Sequence, residues 1–196
     1  MPATSRVACF YLAHLSKPKA DRAIYRHILR QKCRKLLQIG LGDAQRALRM
    51  IRAAGRHHVR NSVRYAAIDL FESRASIGLW PHDAGASAQT PGLSVKQAYR
   101  LLKPSGARVQ LIPGDVFEAL ARTANALGEI DLVLITADHD PECLERAWFY
   151  FPRILHKHSR VLMEKREPGS TESSLVVVDQ REIQYRAQKC QRRRAA

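Results

Sequence analysis

Leu37-Gln38-Ile39-Gly40-Leu41-Gly42-Asp43-Ala44 reads as a buried strand that turns sharply through two glycines and enters a helix. Glycine at such a turn lets the backbone take conformations that a Cβ would obstruct, and lets a ligand approach the main chain closely. A Gly-x-Gly alone is weak evidence, because any tight strand-to-helix turn favours glycine. The context is stronger. The turn follows the first apolar run, and the second run, Val63 to Ile68, ends on an acid, Asp69. Asp43 reads as a cap for the helix that follows.

Working outward, short apolar runs recur with helical segments between them, the pattern of a parallel sheet covered on both faces. The runs are Leu36–Ile39, Val63–Ile68, Ala107–Ile112, Asp131–Thr136 and Arg160–Glu164. A sixth, Ser174–Val178, follows Pro168-Gly169-Ser170 with no room for a crossover helix, and is expected to pair antiparallel at an edge. Helices are expected over Ala20–Cys33, with Ile24 and Ile28 on one face, after the Ser94-Val95-Lys96-Gln97 capping box, after Asp115, and from Pro141 to Tyr150. The fold class is α/β: a doubly wound, mostly parallel Rossmann-like sheet with helices on both faces and an antiparallel edge strand. The 72–93 connection, which carries Trp80-Pro81-His82-Asp83, is long for a compact domain and reads either as disordered or as a functional loop at the ligand-binding edge.

Two cofactor classes use a turn of this kind. A dinucleotide fingerprint needs Gly or Ala at the sixth position of Gly-x-Gly-x-x-Gly, where this chain has Gln45. With Gly40, Gly42 and Ala44 alternating, the turn instead resembles the first motif of class I S-adenosylmethionine-dependent methyltransferases. The resemblance spans about residues 20–165, with small-molecule O-methyltransferases nearest in pattern. It implies S-adenosylmethionine as cofactor, bound by Gly40, Gly42 and Ala44, with Asp69 matching the acid that bonds the ribose hydroxyls. Gly114-Asp115-Val116 resembles the segment whose acid lies beside the adenine amino group. Ile130–Ile135 resembles the fourth strand, which leads to the acceptor, and Leu155–Leu162 resembles the turn into the fifth.

The departures also count. Gln38 stands where the family usually has an acid near the methionine end. The metal-dependent branch has acids where this chain has Thr136 and Glu164-Lys165, so no metal site is expected. Asp138-His139-Asp140 is the acid/base cluster at the same edge. His139, with Asp138 beside it, is the candidate catalytic group, since histidine titrates near neutrality; the plain alternative is a surface histidine in a turn. Asp115 and Asp140 also read as helix N-caps. The Trp148–Phe151 aromatics read as helix-end packing, and His57, His58, His156 and His158 lack metal-ligand spacing.

The chain of 196 residues carries a net charge of +15, and its excess lies toward its ends. Residues 1–35 hold nine Lys/Arg against Asp21, residues 181–196 hold six against Glu182, and residues 36–180 are nearly balanced. The expected organisation is a basic segment over 1–19, a methyltransferase-like domain over 20–180 and a basic tail over 181–196. Such ends serve as solvated surface or as a nucleic-acid contact. No membrane span or signal peptide is read, and four scattered cysteines fit free thiols in a reducing cytoplasm. The function expected is metal-independent methyl transfer to a small molecule. The alternatives are a catalytically degenerate ligand- or partner-binding protein on the same fold, and an RNA-binding or RNA-modifying methyltransferase that uses the basic termini. The oligomeric state is not readable from the chain.

Overall fold

A computed structural model of the chain describes residues 6–76, 92–137, 139–166 and 173–195. The elements run α1 (Arg6–His14), α2 (Arg22–Gln31), β1 (Lys35–Ile39), α3 (Gln45–Ala54), β2 (Arg64–Asp69), α4 (Val95–Leu102), β3 (Arg108–Pro113) and α5 (Val116–Leu127). They continue β4 (Ile130–Ile135), α6 (Pro141–Ala147), α7 (Phe151–Ile154), β5 (Leu155–Arg166), β6 (Ser173–Val178) and α8 (Gln180–Ala195).

One sheet carries the strands in the order β3-β2-β1-β4-β5-β6. The first five are parallel, and β6 is antiparallel to β5 at the edge. β1 is followed by β2 on one side and neighboured by β4 on the other, so strand order reverses there. In open α/β sheets the carboxyl edge at that switch point is where ligands bind.

Two apolar layers hold the sheet. On one face Leu37, Ile39, Ala66, Ile68 and Ile112 pack beneath α5, α6, α7 and α8, with Trp148, Phe151 and Ile154 fully buried. On the other, Leu36, Tyr65, Ala67 and Leu134 meet Ile24, Tyr25 and Ile28 of α2 and Ala47, Met50, Ile51 and Ala54 of α3. The buried positions of both helices recur at three- and four-residue spacing, which gives each helix a single apolar stripe.

Local signals operate as their chemistry dictates. Ser94 and Gln97 form a reciprocal capping box on α4. Asp115 accepts from the N–H groups of Phe117 and Glu118, and Asp140 from those of Glu142 and Cys143. α4 passes through a short 3-10 turn to Gly106 at φ +77°, a left-handed stop that glycine adopts without strain.

Among the described residues, each basic end contributes a helix, α1 and α8. α1 packs Cys9, Leu12 and Ala13 inward, leaving Val7, Phe10, Tyr11 and Leu15 exposed. Residues 181–195 of the segment expected as a basic tail belong to α8: Ile183, Ala187 and Cys190 are buried at i, i+4 and i+7. The Arg186 guanidinium lies 5.0 Å above the Trp148 ring, and Lys189 stands 3.5 Å from Glu145. Its apolar residues are few and widely spaced, so the run of arginines masked the stripe. The Trp80–Asp83 stretch and most of the 72–93 connection lie outside the described residues.

Candidate functional site

The Gly40–Ala44 turn is built from left-handed residues, with φ +83° at Gly40, +62° at Gly42 and +63° at Ala44. The two glycines do different work. A Cβ on Gly40 would fall 2.0 Å from Thr136 Oγ1, so this glycine is required by the close approach of β4. A Cβ on Gly42 would meet no atom of the described residues within 4 Å, so the chain presents bare backbone to open space there. Ala44 is fully buried and holds a conformation that costs a non-glycine residue about 1–2 kcal/mol. Strain of that kind persists where the surroundings over-determine it, as at ligand-binding turns. Asp43 Oδ1 accepts from the N–H of Gln45, 3.0 Å away, but the N-cap position of α3 is Ala44, so Asp43 stands one residue ahead of the cap expected of it.

Asp69, at the end of β2, turns its carboxylate to this loop. Oδ2 accepts from the Leu41 N–H at 2.6 Å, and Oδ1 from the Phe71 N–H at 2.9 Å. The residue is only 7% exposed, so its first task is to fasten the glycine turn to the neighbouring strand. A carboxylate has about four acceptor positions, so these two bonds do not by themselves exhaust it. The next link lies beyond: Gly114 N–H donates to the Asp69 carbonyl at 3.0 Å, setting Asp115 beside it on the same edge.

Gln38 explains itself in the structure. It is buried, its Nε2 donates to the Gly40 carbonyl at 2.7 Å, and its Oε1 accepts from the Tyr65 hydroxyl at 2.7 Å. A carboxylate at this position could not donate to that carbonyl. Burial keeps the Tyr65 phenol far above its usual range, so it remains a donor. Gln38 thus holds the turn from below while Asp69 holds it from the side.

On the far side of β1, His139 lies just past β4 with Nδ1 against the Thr136 carbonyl. A carbonyl only accepts, so Nδ1 is the donor of that pair. Asp138, its expected companion, lies outside the described residues. Asp140 is the cap of α6. Burial pulls its carboxyl upward, but the bonds from Cys143 and Glu142 outweigh that and hold it below its ordinary value. The Cys143 thiol stands between the Asp140 and Asp115 carboxylates, and burial with those two acids pushes it up to about 12.

A charged cluster at this edge has no signature in the sequence. Arg46, in the first turn of α3, makes two bonds of 3.2 Å to the Glu164 carboxylate and stands 3.1 Å from Asp21. Glu164 also accepts from the Ala137 N–H at 3.3 Å. Burial raises Glu164, and the Arg46 guanidinium lowers it further than burial lifts it, so it stays ionised. For Asp21 burial prevails over Arg46, and its carboxyl is raised. The partners of Arg46 lie 25 and 118 residues away, so no local pattern could have joined them. The cluster braces the glycine-turn helix against the ends of β4 and β5, and it occupies Glu164.

The structure therefore brings Gly40, Gly42, Ala44, Asp69, Asp115 and His139 to one sheet edge. Among the described residues no three His, Cys, Asp or Glu side chains are grouped to hold a metal ion.

No protein-family model matches the chain, and no curated protein does. Solved structures match over most of its length. An O-methyltransferase from Bacillus cereus in complex with SAH is 13% identical, with a TM-score of 0.52 over 96% of this chain and 78% of that one. TomG from Streptomyces achromogenes, an O-methyltransferase of tomaymycin synthesis in complex with SAM, is 13% identical, with a TM-score of 0.52 over 98% and 79%. CalS11, a calicheamicin methyltransferase, is 14% identical, with a TM-score of 0.51 over 89% and 91%. The chain has the fold of the class I S-adenosylmethionine-dependent methyltransferases that its motifs resemble.

Proposed function

We propose that this protein binds S-adenosylmethionine at the Gly40–Ala44 turn and transfers its methyl group to a small molecule without a metal ion. The observation that carries the reading is Gly42: a residue in left-handed conformation whose missing side chain opens the turn outward, whereas its neighbour Gly40 is accounted for by packing. The cofactor supplies an electrophilic methyl group on a sulfonium. The chain's residues bind and orient. The bare backbone at Gly42 permits close approach, Asp69 offers acceptor capacity to ribose hydroxyls, and Asp115 stands farther along the edge toward the adenine end. His139 is the group that receives a proton from an acceptor hydroxyl, and Asp138 is assigned to the same cluster. Positioning in line carries most of such a transfer, and proton removal adds to it. Solved O-methyltransferases of the same fold, in complex with SAM or SAH, support the choice of cofactor.

Gln38 favours a second reading, ligand binding without transfer, because this side chain is committed to the Gly40 carbonyl and to Tyr65. Calorimetric titration with S-adenosylmethionine and S-adenosylhomocysteine tests the first part of the proposal: a single-site isotherm is expected, and flat titrations with both overturn it. Assay of S-adenosylhomocysteine release across a panel of hydroxylated acceptors then separates transfer from binding alone.

A further inference from the structure

We propose that the amino edge of the sheet, opposite the cofactor edge, is a docking surface for the sugar-phosphate backbone of RNA. Lys35, Arg64 and Arg108 open β1, β2 and β3, and they are mutual register partners in adjacent parallel strands. Residues in register share a face, so the three cations stand in a row about 4.8 Å apart from strand to strand. Like charges directly opposite one another destabilise a sheet. The adjacent Arg64 and Arg108 therefore repel one another unless an anion lies across them.

The neighbours discharge the row only at Lys35. Two acids lie close by, and both are engaged. Glu129 pairs with Lys35 at 3.2 Å, while Asp131 accepts from the N–H groups of Arg34 and Lys35 and faces His156 Nε2 at 3.0 Å. The end of α5 accounts for Lys35 once more, through its bond to the Gly128 carbonyl. Arg64 and Arg108 are exposed, and among the described residues neither has a carboxylate partner.

Shape adds to charge. The three side chains line an open depression of about 220 Å³, walled by Gln110, Ala126 and Leu127 where α5 stops short of the strand ends. Guanidinium forks match phosphate oxygens in pairs, and a groove lined by them suits a chain of phosphates better than a flat bilayer. The depression has no exposed aromatic ring among its lining residues, so stacking on bases is not provided for and recognition falls on the backbone. This site is distinct from α1 and α8, and it does not rest on the cofactor reading.

The test is fluorescence anisotropy of the full chain with a labelled single-stranded RNA of mixed sequence, titrated at several salt concentrations. Phosphate contacts from Arg64 and Arg108 give a log–log salt slope of about −1.4, at roughly 0.7 per contact for single strands. R64E/R108E is expected to weaken binding about tenfold or more and to flatten that slope by about 1.4. Its melting temperature and its titration with S-adenosylhomocysteine should match wild type; if reversal disturbs folding, R64Q/R108Q removes the charge alone and should still flatten the slope. R181E/R192E, on exposed positions of α8, should leave affinity within about twofold. No binding at low salt, equal loss from the α8 pair, or binding to phosphatidylserine vesicles without binding to RNA would each overturn the assignment.

Discussion

At the scale of single residues, two glycines two positions apart separate structure from function. Gly40→Ala drives a methyl group into Thr136 and should lower stability by about 1–3 kcal/mol, visible in a denaturant titration. Gly42→Asn should fold normally, because asparagine tolerates the left-handed region and nothing described stands in its way. Asp69→Ala has a mixed outcome. It orphans the buried N–H groups of Leu41 and Phe71, so it should cost about 2 kcal/mol or more of stability as well as ligand affinity. His27 gives a pH test. Its Nε2 is buried with no hydrogen-bond partner among the described residues, and burial, with Arg160 nearby, lowers its pKa to about 4. The unfolded chain then binds the proton first, so this residue's penalty sets in as pH falls below about 6.5 and levels off near 4. His27→Gln should remove that component from the pH dependence of the melting temperature.

At the scale of elements, α8 is the segment whose composition most disguised its structure. Ile183→Ala should cost about 2 kcal/mol or more, since it empties a buried position against the Trp148 layer, whereas Arg181→Ala should change stability by less than about 0.5 kcal/mol. The strands were legible because a sheet covered on both faces leaves near-continuous apolar runs, and the edge strand because Pro168-Gly169-Ser170 leaves no room for a crossover. The strand ends shift by a residue or so, and β5 begins five residues before Arg160, at Leu155, where His156 and Ser159 bond across to β4. The caps at Ser94, Asp115 and Asp140 were legible because capping is local chemistry. The Arg46–Glu164–Asp21 cluster and the Gln38–Tyr65 bond were not, since both depend on which strands become neighbours.

At the scale of the whole molecule, the distribution of charge is a property of topology. Residues 36–180 are almost neutral when counted along the chain, yet the parallel order of β1, β2 and β3 sets Arg64 and Arg108, beside Lys35, at one end of the strands and Asp69 and Asp115 at the other. A parallel sheet sorts residues by their position within each strand, which a running count of charge averages away. The central claim is that the turn at the carboxyl edge is a cofactor site, and paired calorimetric titrations of wild type and Gly42→Asn with S-adenosylhomocysteine test it most directly. Wild type should bind, and the variant should bind about tenfold or more weakly at an unchanged melting temperature, because the asparagine side chain enters the space that the glycine leaves open. Equal affinity in the two proteins would contradict it.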